Sequence, residues 1–373
     1  MAGLVAQSLN GVEEKVNRPT WQPAEGPLFV VGMWRSGTSL LYALLNQHSQ
    51  IALMYEEDLT HLRSLFWLPR DTPQWLARWD FWNEALTRHK VDTSEIPSGI
   101  SDLRTAARAV YLQFAKQKNG ATVWGCKSPT YHDEIIRLSQ AFPNARFVII
   151  WRDLRSICRS IIEAAPGNLF FSRRGFVLRA VMGYHAMKVQ CDALLKRGGQ
   201  VHQIHYEDLV RDPGATMQEI CKFLEIPFNP RMSRLEGADR TAIEEGPHHS
   251  LVKSEEIVAS RNSPQGLPPA VKSKVERYIH MWRKQYSGAW PLYPEKLDES
   301  SEPSLWERLR DRIAYKALSF WHHMAPVVFS FIPLVVWEKY RKFNYARRYA
   351  RSLRKADPNA GFGNNGFEGR RKP

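Results

Sequence analysis

The sequence predicts an α/β fold in three layers, with a central parallel sheet flanked by helices and a helical appendage at the C-terminal end. Three observations carry that prediction. Short apolar runs recur between residues 28 and 206, well separated from one another. Segments of helical period lie between them, the alternation that builds a parallel sheet covered on both faces. The first run passes through a glycine-bearing turn directly into a helical segment. That order places a helix N-terminus beyond the carboxyl end of a strand, where such sheets bind ligands.

The elements follow in order. Leu28–Gly32 reads as a buried strand, and Leu40-Leu41-Tyr42-Ala43-Leu44-Leu45 has helical character. Ile51–Tyr55 is the second strand. Segment 101–118 carries Leu103, Ala107, Val110, Tyr111 and Phe114 near the 3.6-residue period and is a helix. Residues 122–126 form the third strand and Arg146–Trp151 the fourth, with helices at Leu154–Ala164 and 174–196. The fifth strand is 200–206, and Asp212-Pro213 is an N-cap with proline at the first helical position, opening a helix to about Phe223. Between the second strand and the first long helix, block 65–82 holds Trp67, Trp75, Trp79 and Trp82. It reads as a helical insertion whose aromatics pack the core, or line an apolar acceptor pocket.

The organisation expected is an N-terminal extension (1–26), a main domain (27–292), a linker rich in proline, serine and acids (293–304), a basic helical segment (305–356) and a disordered tail (357–373). Residues 1–27 include Glu13 and Glu14 and lack a long apolar core, so neither a signal peptide nor an N-terminal anchor is expected. In the appendage Leu305, Leu309 and Ile313 share one helical face, and the 21 residues 317–337 carry no charge. That length could cross a bilayer. His322, His323, Pro326 and Pro333 interrupt it, and a single span would export the most basic part of the chain, against the positive-inside rule. A re-entrant segment or one lying on a membrane surface, held by the following Lys/Arg cluster, fits better, with a helix packed on the body as the alternative.

The chain of 373 residues is 43% hydrophobic and carries a net charge of +14, of which +8 falls in residues 338–373. A basic end of this kind suits an anionic membrane surface, and nucleic acid is not the partner expected. Cys126, Cys158, Cys191 and Cys221 are widely spaced, with no metal-ligand pair, and are expected to be buried thiols in a reducing cytosol. The expected location is therefore cytoplasmic, peripheral on the cytoplasmic face of the membrane.

The chemistry begins at Gly32-Met33-Trp34-Arg35-Ser36-Gly37-Thr38-Ser39. Gly32-x4-Gly37 has the P-loop spacing, but Thr38 stands where a P-loop lysine would follow, and the cation sits inside the loop at Arg35. A kinase needs that lysine and a metal-held phosphate. A loop without them suits a phosphosulfate, managed by backbone donors and cationic side chains with no metal. A second anion grip follows the fourth strand, where Arg152 stands at a strand end and Ser160 lies two turns into the next helix. Two separate grips imply a nucleoside phosphorylated at both ends.

Arg35-Ser36-Gly37-Thr38-Ser39-Leu40-Leu41 resembles the 5′-phosphosulfate loop of the sulfotransferases that use 3′-phosphoadenosine-5′-phosphosulfate (PAPS). Arg152-Asp153-x-Arg155-x4-Ser160 resembles the 3′-phosphate motif of the same family, and Cys126-Lys127-Ser128-Pro129 and the run from His205 to Pro213 sit at family-like places. The resemblance spans about residues 27–290 and is nearest the bacterial branch similar to tyrosylprotein sulfotransferases. It implies a P-loop-like fold and sulfuryl transfer from PAPS to an acceptor hydroxyl, in line and without metal. By that likeness Arg35 contacts the 5′-phosphate and the sulfuryl group, while Ser36, Gly37, Thr38 and Ser39 hold the 5′-phosphate. Arg152 and Ser160 hold the 3′-phosphate, and Lys127 lies near the bridging oxygen. Tyr206 lies near the adenine or the floor of the site, and Arg261, in a polar loop, closes over the 3′-phosphate.

The residue two places after Lys127, where small-molecule sulfotransferases have a histidine base, is Pro129. The tyrosylprotein-like branch uses a glutamate just after the second strand. Glu56 aligns best, with Glu57 the fallback and His132 a third candidate. The acceptor suggested by the tryptophan block and the C-terminal segment is lipid-like or otherwise hydrophobic. The rival readings are a P-loop nucleotide or small-molecule kinase and a non-catalytic membrane-associated scaffold.

Overall fold

The computed structural model describes residues 22–57, 86–87, 89–92, 94, 103–118, 120–166, 168, 170–171, 175–243, 250–257, 267–285 and 304–330. Block 65–82, the linker, Arg261 and everything after Ser330 lie outside the described residues.

The chain runs β1 (Leu28–Gly32), α1 (Thr38–Leu45), β2 (Ile51–Tyr55), α2 (Leu103–Gln117), β3 (Val123–Lys127), a 3-10 turn (Pro129–Asp133), α3 (Ile135–Ala141), β4 (Arg146–Trp151), α4 (Leu154–Ala164), α5 (Phe176–Lys196), β5 (Gln200–His205), α6 (Tyr206–Arg211), α7 (Pro213–Leu224), α8 (Ser250–Lys253), α9 (Pro269–Gln285) and α10 (Leu305–Ser330). The five strands form one sheet in the order β2-β3-β1-β4-β5, and every pairing is parallel.

Successive residues of a strand point to opposite faces, and here both faces are core. Phe29, Val31, Ala52, Met54, Trp124, Phe147 and Ile149 join the cluster that takes in α3, α4, α5 and α9. Leu28, Val30, Ile51, Leu53, Val123, Val148 and Ile150 join the one that takes in α1 and α7. The four cysteines are free and buried.

Two strands have boundaries that move by a residue. β3 starts and ends one residue later than the apolar run suggests, because Lys127 keeps its register opposite both Tyr55 and Val30. β5 stops at His205, which caps α6 in an extended conformation, and Tyr206 begins that helix. Glu207 and Asp208 favour a helix start there, since they face the positive end of its dipole.

Two late helices are tied to the body by polar contacts. Arg155 on α4 grips Glu276 on α9 through two hydrogen bonds of 2.6 and 3.1 Å, both residues buried. α10 is held by Asp311, which accepts from Arg277 at 3.1 Å, and by Tyr315, whose hydroxyl lies 2.9 Å from His185 Nδ1 on α5. The His185 ring stacks on Trp282 of α9, 4.7 Å between centroids and 12° from parallel.

Burial pushes the His185 pKa from 6.5 down to about 4, so the folded state accepts the neutral ring. Stability from this group is present above pH 6.5 and is lost as the pH falls towards about 4. In His185→Phe, which keeps a stacking ring but cannot titrate, thermal unfolding followed across that window is expected to fall less steeply with pH than in the wild type. Equal slopes would assign the acid sensitivity to other groups.

Candidate active site

The loop between β1 and α1 is shaped by close approach. Ser36 N–H donates to the Met33 carbonyl at 3.0 Å, which turns the chain back over the end of β1. Arg35 takes a left-handed φ of 71° and Gly37 one of 100°. At Gly37 a Cβ would press into the Tyr206 ring, and at Gly32 one would lie 2.6 Å from Ile150 Cγ2 and 2.7 Å from Thr38 Cγ2. Gly37 caps α1 without a side-chain hydrogen bond, and no acidic residue stands in the first turn. The first N–H groups and the dipole of that helix are thus aimed at the loop. Ser36 is fully buried, and its Oγ has no hydrogen-bond partner among the described residues.

Sheet order decides what flanks this loop. β3 and β4 are the neighbours of β1, and each delivers a cation at its carboxyl end. From β3, fully buried Lys127 donates to Glu56 Oε1 at 2.5 Å and to Ser39 Oγ at 3.3 Å. Its Nζ lies 3.5 Å from the Tyr55 ring centroid, and Ser39 Oγ and Tyr55 OH are 2.9 Å apart. From β4, buried Arg152 donates to the Arg35 carbonyl at 2.7 Å and lies over the Tyr206 ring, 4.2 Å from its centroid. Arg152 Nε is buried without a hydrogen-bond partner among the described residues. Arg35 Nε donates to Ser160 Oγ at 2.9 Å, so the loop arginine touches the second anion grip directly.

Burial lowers the Arg35 pKa to about 10, and the Arg152 charge adds to the shift. Burial also lowers that of Arg152. Two guanidinium groups short of water, one of them depressed by the charge of the other, make a place where an anion gains more than it would at the surface.

The two glutamates separate cleanly. Glu56 has a left-handed φ of 50°, extends the ladder by donating its N–H to the Lys127 carbonyl at 2.8 Å, and is partly exposed beside Lys127. Glu57 is fully buried and accepts from Tyr111 OH of α2 at 2.6 Å. Such φ values in non-glycine residues are costly; among the described residues they fall on Arg35, Glu56, Lys90 and Glu225, and the first two stand at this sheet edge. His132 is buried in packing, its Nδ1 donating to the Pro129 carbonyl at 2.9 Å and its ring 4.9 Å from that of Trp34 in the β1 loop. Tyr55 was not singled out by its sequence, although its place at the end of a parallel strand is the signal that would find it.

The sequence profile described as the Sulfotransferase family matches residues 27–230. The chain belongs to the sulfotransferase family. Among curated relatives of this sulfotransferase-family chain, protein-tyrosine sulfotransferase 1 of Danio rerio is 27% identical over 208 residues, 54% of this chain and 54% of that protein. Protein-tyrosine sulfotransferase 2 of Gallus gallus is 28% identical over 231 residues, 61% of this chain and 57% of that protein. The chain thus spans about half the length of the curated relatives it matches. Among solved structures, the sulfotransferase domain from the curacin biosynthetic pathway aligns with a TM-score of 0.47 and 19% identity, covering 72% of this chain and all of that one.

The Gly37–Tyr206 contact can be tested inside the family-matched region. Gly37→Ala should destabilise the protein, and part of that loss should vanish in a Tyr206→Ala background. A double-mutant cycle by denaturant unfolding is expected to give a coupling of about 1–2 kcal/mol. Strict additivity would mean that the ring does not set the height of the loop.

Proposed function

We propose that the chain transfers a sulfuryl group from PAPS to an acceptor hydroxyl. The observation that carries this reading is the arrangement around the β1 loop: Lys127 with Glu56 on one flank, Arg152 on the other, and Arg35 reaching from the loop to Ser160. A nucleotide bearing phosphate at both ends needs two anion grips. The buried Ser36 Oγ and Arg152 Nε fit its oxygens as hydrogen-bond donors.

In this reading the N–H groups of Ser36, Gly37 and Thr38, with the Thr38 and Ser39 hydroxyls, hold the 5′-phosphate. Arg35 contacts the 5′-phosphate and the sulfuryl oxygens. Arg152 and Ser160 hold the 3′-phosphate, with Arg261 assigned there by sequence alone, and Tyr206 lies on the adenosine side. The acceptor oxygen bonds to sulfur as the bond from sulfur to the bridging phosphate oxygen breaks. Glu56 takes the acceptor proton, and Lys127 offsets the charge that grows on the leaving phosphate. Adenosine 3′,5′-bisphosphate and the sulfate ester depart.

The acceptor proposed is hydrophobic, on the strength of the tryptophan-rich block. The names of the curated relatives make a protein tyrosine the natural competitor. Incubating the protein with labelled PAPS and an extract of its source cells should put label into a product that partitions into organic solvent. Label in peptides would move the acceptor to tyrosine, and no transfer to any fraction would overturn the activity.

Arg35→Ala and Lys127→Ala should each lower kcat/KM by about 100-fold or more, with the circular dichroism of the wild type retained. Wild-type rates in both would sink the assignment. Glu56→Gln should cut kcat by roughly 100-fold while leaving the affinity for adenosine 3′,5′-bisphosphate nearly unchanged. Glu57→Gln should act mainly on the melting temperature; a larger kcat loss there than in Glu56→Gln would move the base to Glu57.

A further inference from the structure

The α10 helix is amphipathic in the reverse sense. Its polar side faces the protein: buried Asp311 accepts from Arg277 at 3.1 Å, Glu307 pairs with the same guanidinium at 3.4 Å, and Tyr315 reaches His185. Its apolar side faces out. Leu305, Trp306, Leu309, Ile313 and Phe320 are 48–80% exposed. An ordinary surface helix turns these residues inward, and an apolar stripe left outside marks a surface made to be covered.

Charge indicates what covers it. Both acidic residues of the helix, Glu307 and Asp311, turn towards Arg277, whereas Arg310, Arg312 and Lys316 are exposed. At 3.6 residues per turn, Arg312 borders one side of the apolar stripe and Arg310 the other, while Lys316 lies within it between Leu305 and Leu309. Long basic side chains at the edge of an apolar face can bury their stems and keep their charges at a polar boundary. Residues 338–373 of the same chain add a net charge of +8. A second copy of the chain is a poor occupant, because a two-fold contact through this face would bring the arginines and lysine of both copies together. No helix among the described residues is long and apolar enough to cross a membrane.

We infer that the outer face of α10 lies flat on an anionic lipid surface, with Trp306, Leu309, Ile313 and Phe320 in the acyl boundary and Arg310, Arg312 and Lys316 at the headgroups. The inference is independent of the chemistry proposed at the sheet edge, since binding is read without turnover.

The test is flotation of the full chain with phosphatidylcholine vesicles that contain or lack phosphatidylserine. Binding is expected only to the anionic vesicles and should weaken with salt. Leu309→Asp with Ile313→Asp, and separately Arg310→Glu with Lys316→Glu, should each reduce it about tenfold or more. Both pairs are exposed, so the melting temperature should hold. Three outcomes would overturn the inference: wild-type vesicle binding by both variants, which would assign lipid contact to the basic end alone; equal binding to neutral vesicles; or a dimer by light scattering that Leu309→Asp with Ile313→Asp dissolves.

Discussion

Three cations drawn out of water at the carboxyl edge of the sheet are the constraint around which the rest is arranged. Taking a charge into a protein interior costs several kcal/mol unless nearby electron-rich groups offset it. Lys127 meets a carboxylate, a hydroxyl and an aromatic face. Arg152 meets a carbonyl and the Tyr206 ring, and Arg35 meets a hydroxyl. Burial lowers the Arg152 pKa, and Glu207 and Asp153 nearby partly offset it. Glu56, tied to Lys127, lies on the opposite flank from Arg152.

The fold meets this constraint by topology rather than by a single motif. The order β2-β3-β1-β4-β5 puts the first strand in the middle, so its loop is overlooked by residues from three other strand ends. Behind the site, α4 is pinned by the Arg155–Glu276 pair, and Glu276 belongs to a helix beyond the 27–230 region matched by the family profile. The later helices are therefore part of what keeps α4, and Ser160 on it, in place.

Much of this was legible in the sequence. Buried parallel strands read as compact apolar runs, and three of the five fall where the runs predict to the residue. The two segments that meet at the β1 loop were legible because each is contiguous: Arg35 to Ser39 and Arg152 to Ser160 carry their own spacing. The partners across the fold were not. Nothing near Tyr55, Tyr111 or Glu276 in sequence says that they will meet Ser39, Glu57 or Arg155. The choice between Glu56 and Glu57 was also closed to periodicity, because the left-handed turn at Glu56 breaks the alternation of the strand before it. Period likewise gathered Leu305, Leu309 and Ile313 on one face of α10 but could not say that the face looks outward, since that depends on polar anchors elsewhere on the body.

The central position of β1 has a consequence for how the molecule comes into being. Its nearest hydrogen-bonded neighbours in space, Gly125 and Arg146 opposite Leu28, lie roughly a hundred residues further along the chain. Closing loops of that length carries an entropy cost that local contacts cannot defray early, so such pairings form slowly. During synthesis the first strand must wait, apolar and unpaired, until the third has emerged, and its other edge until the fourth. The arrangement around the β1 loop is thus absent from every nascent chain that ends before the fourth strand, and it is completed only with the sheet itself.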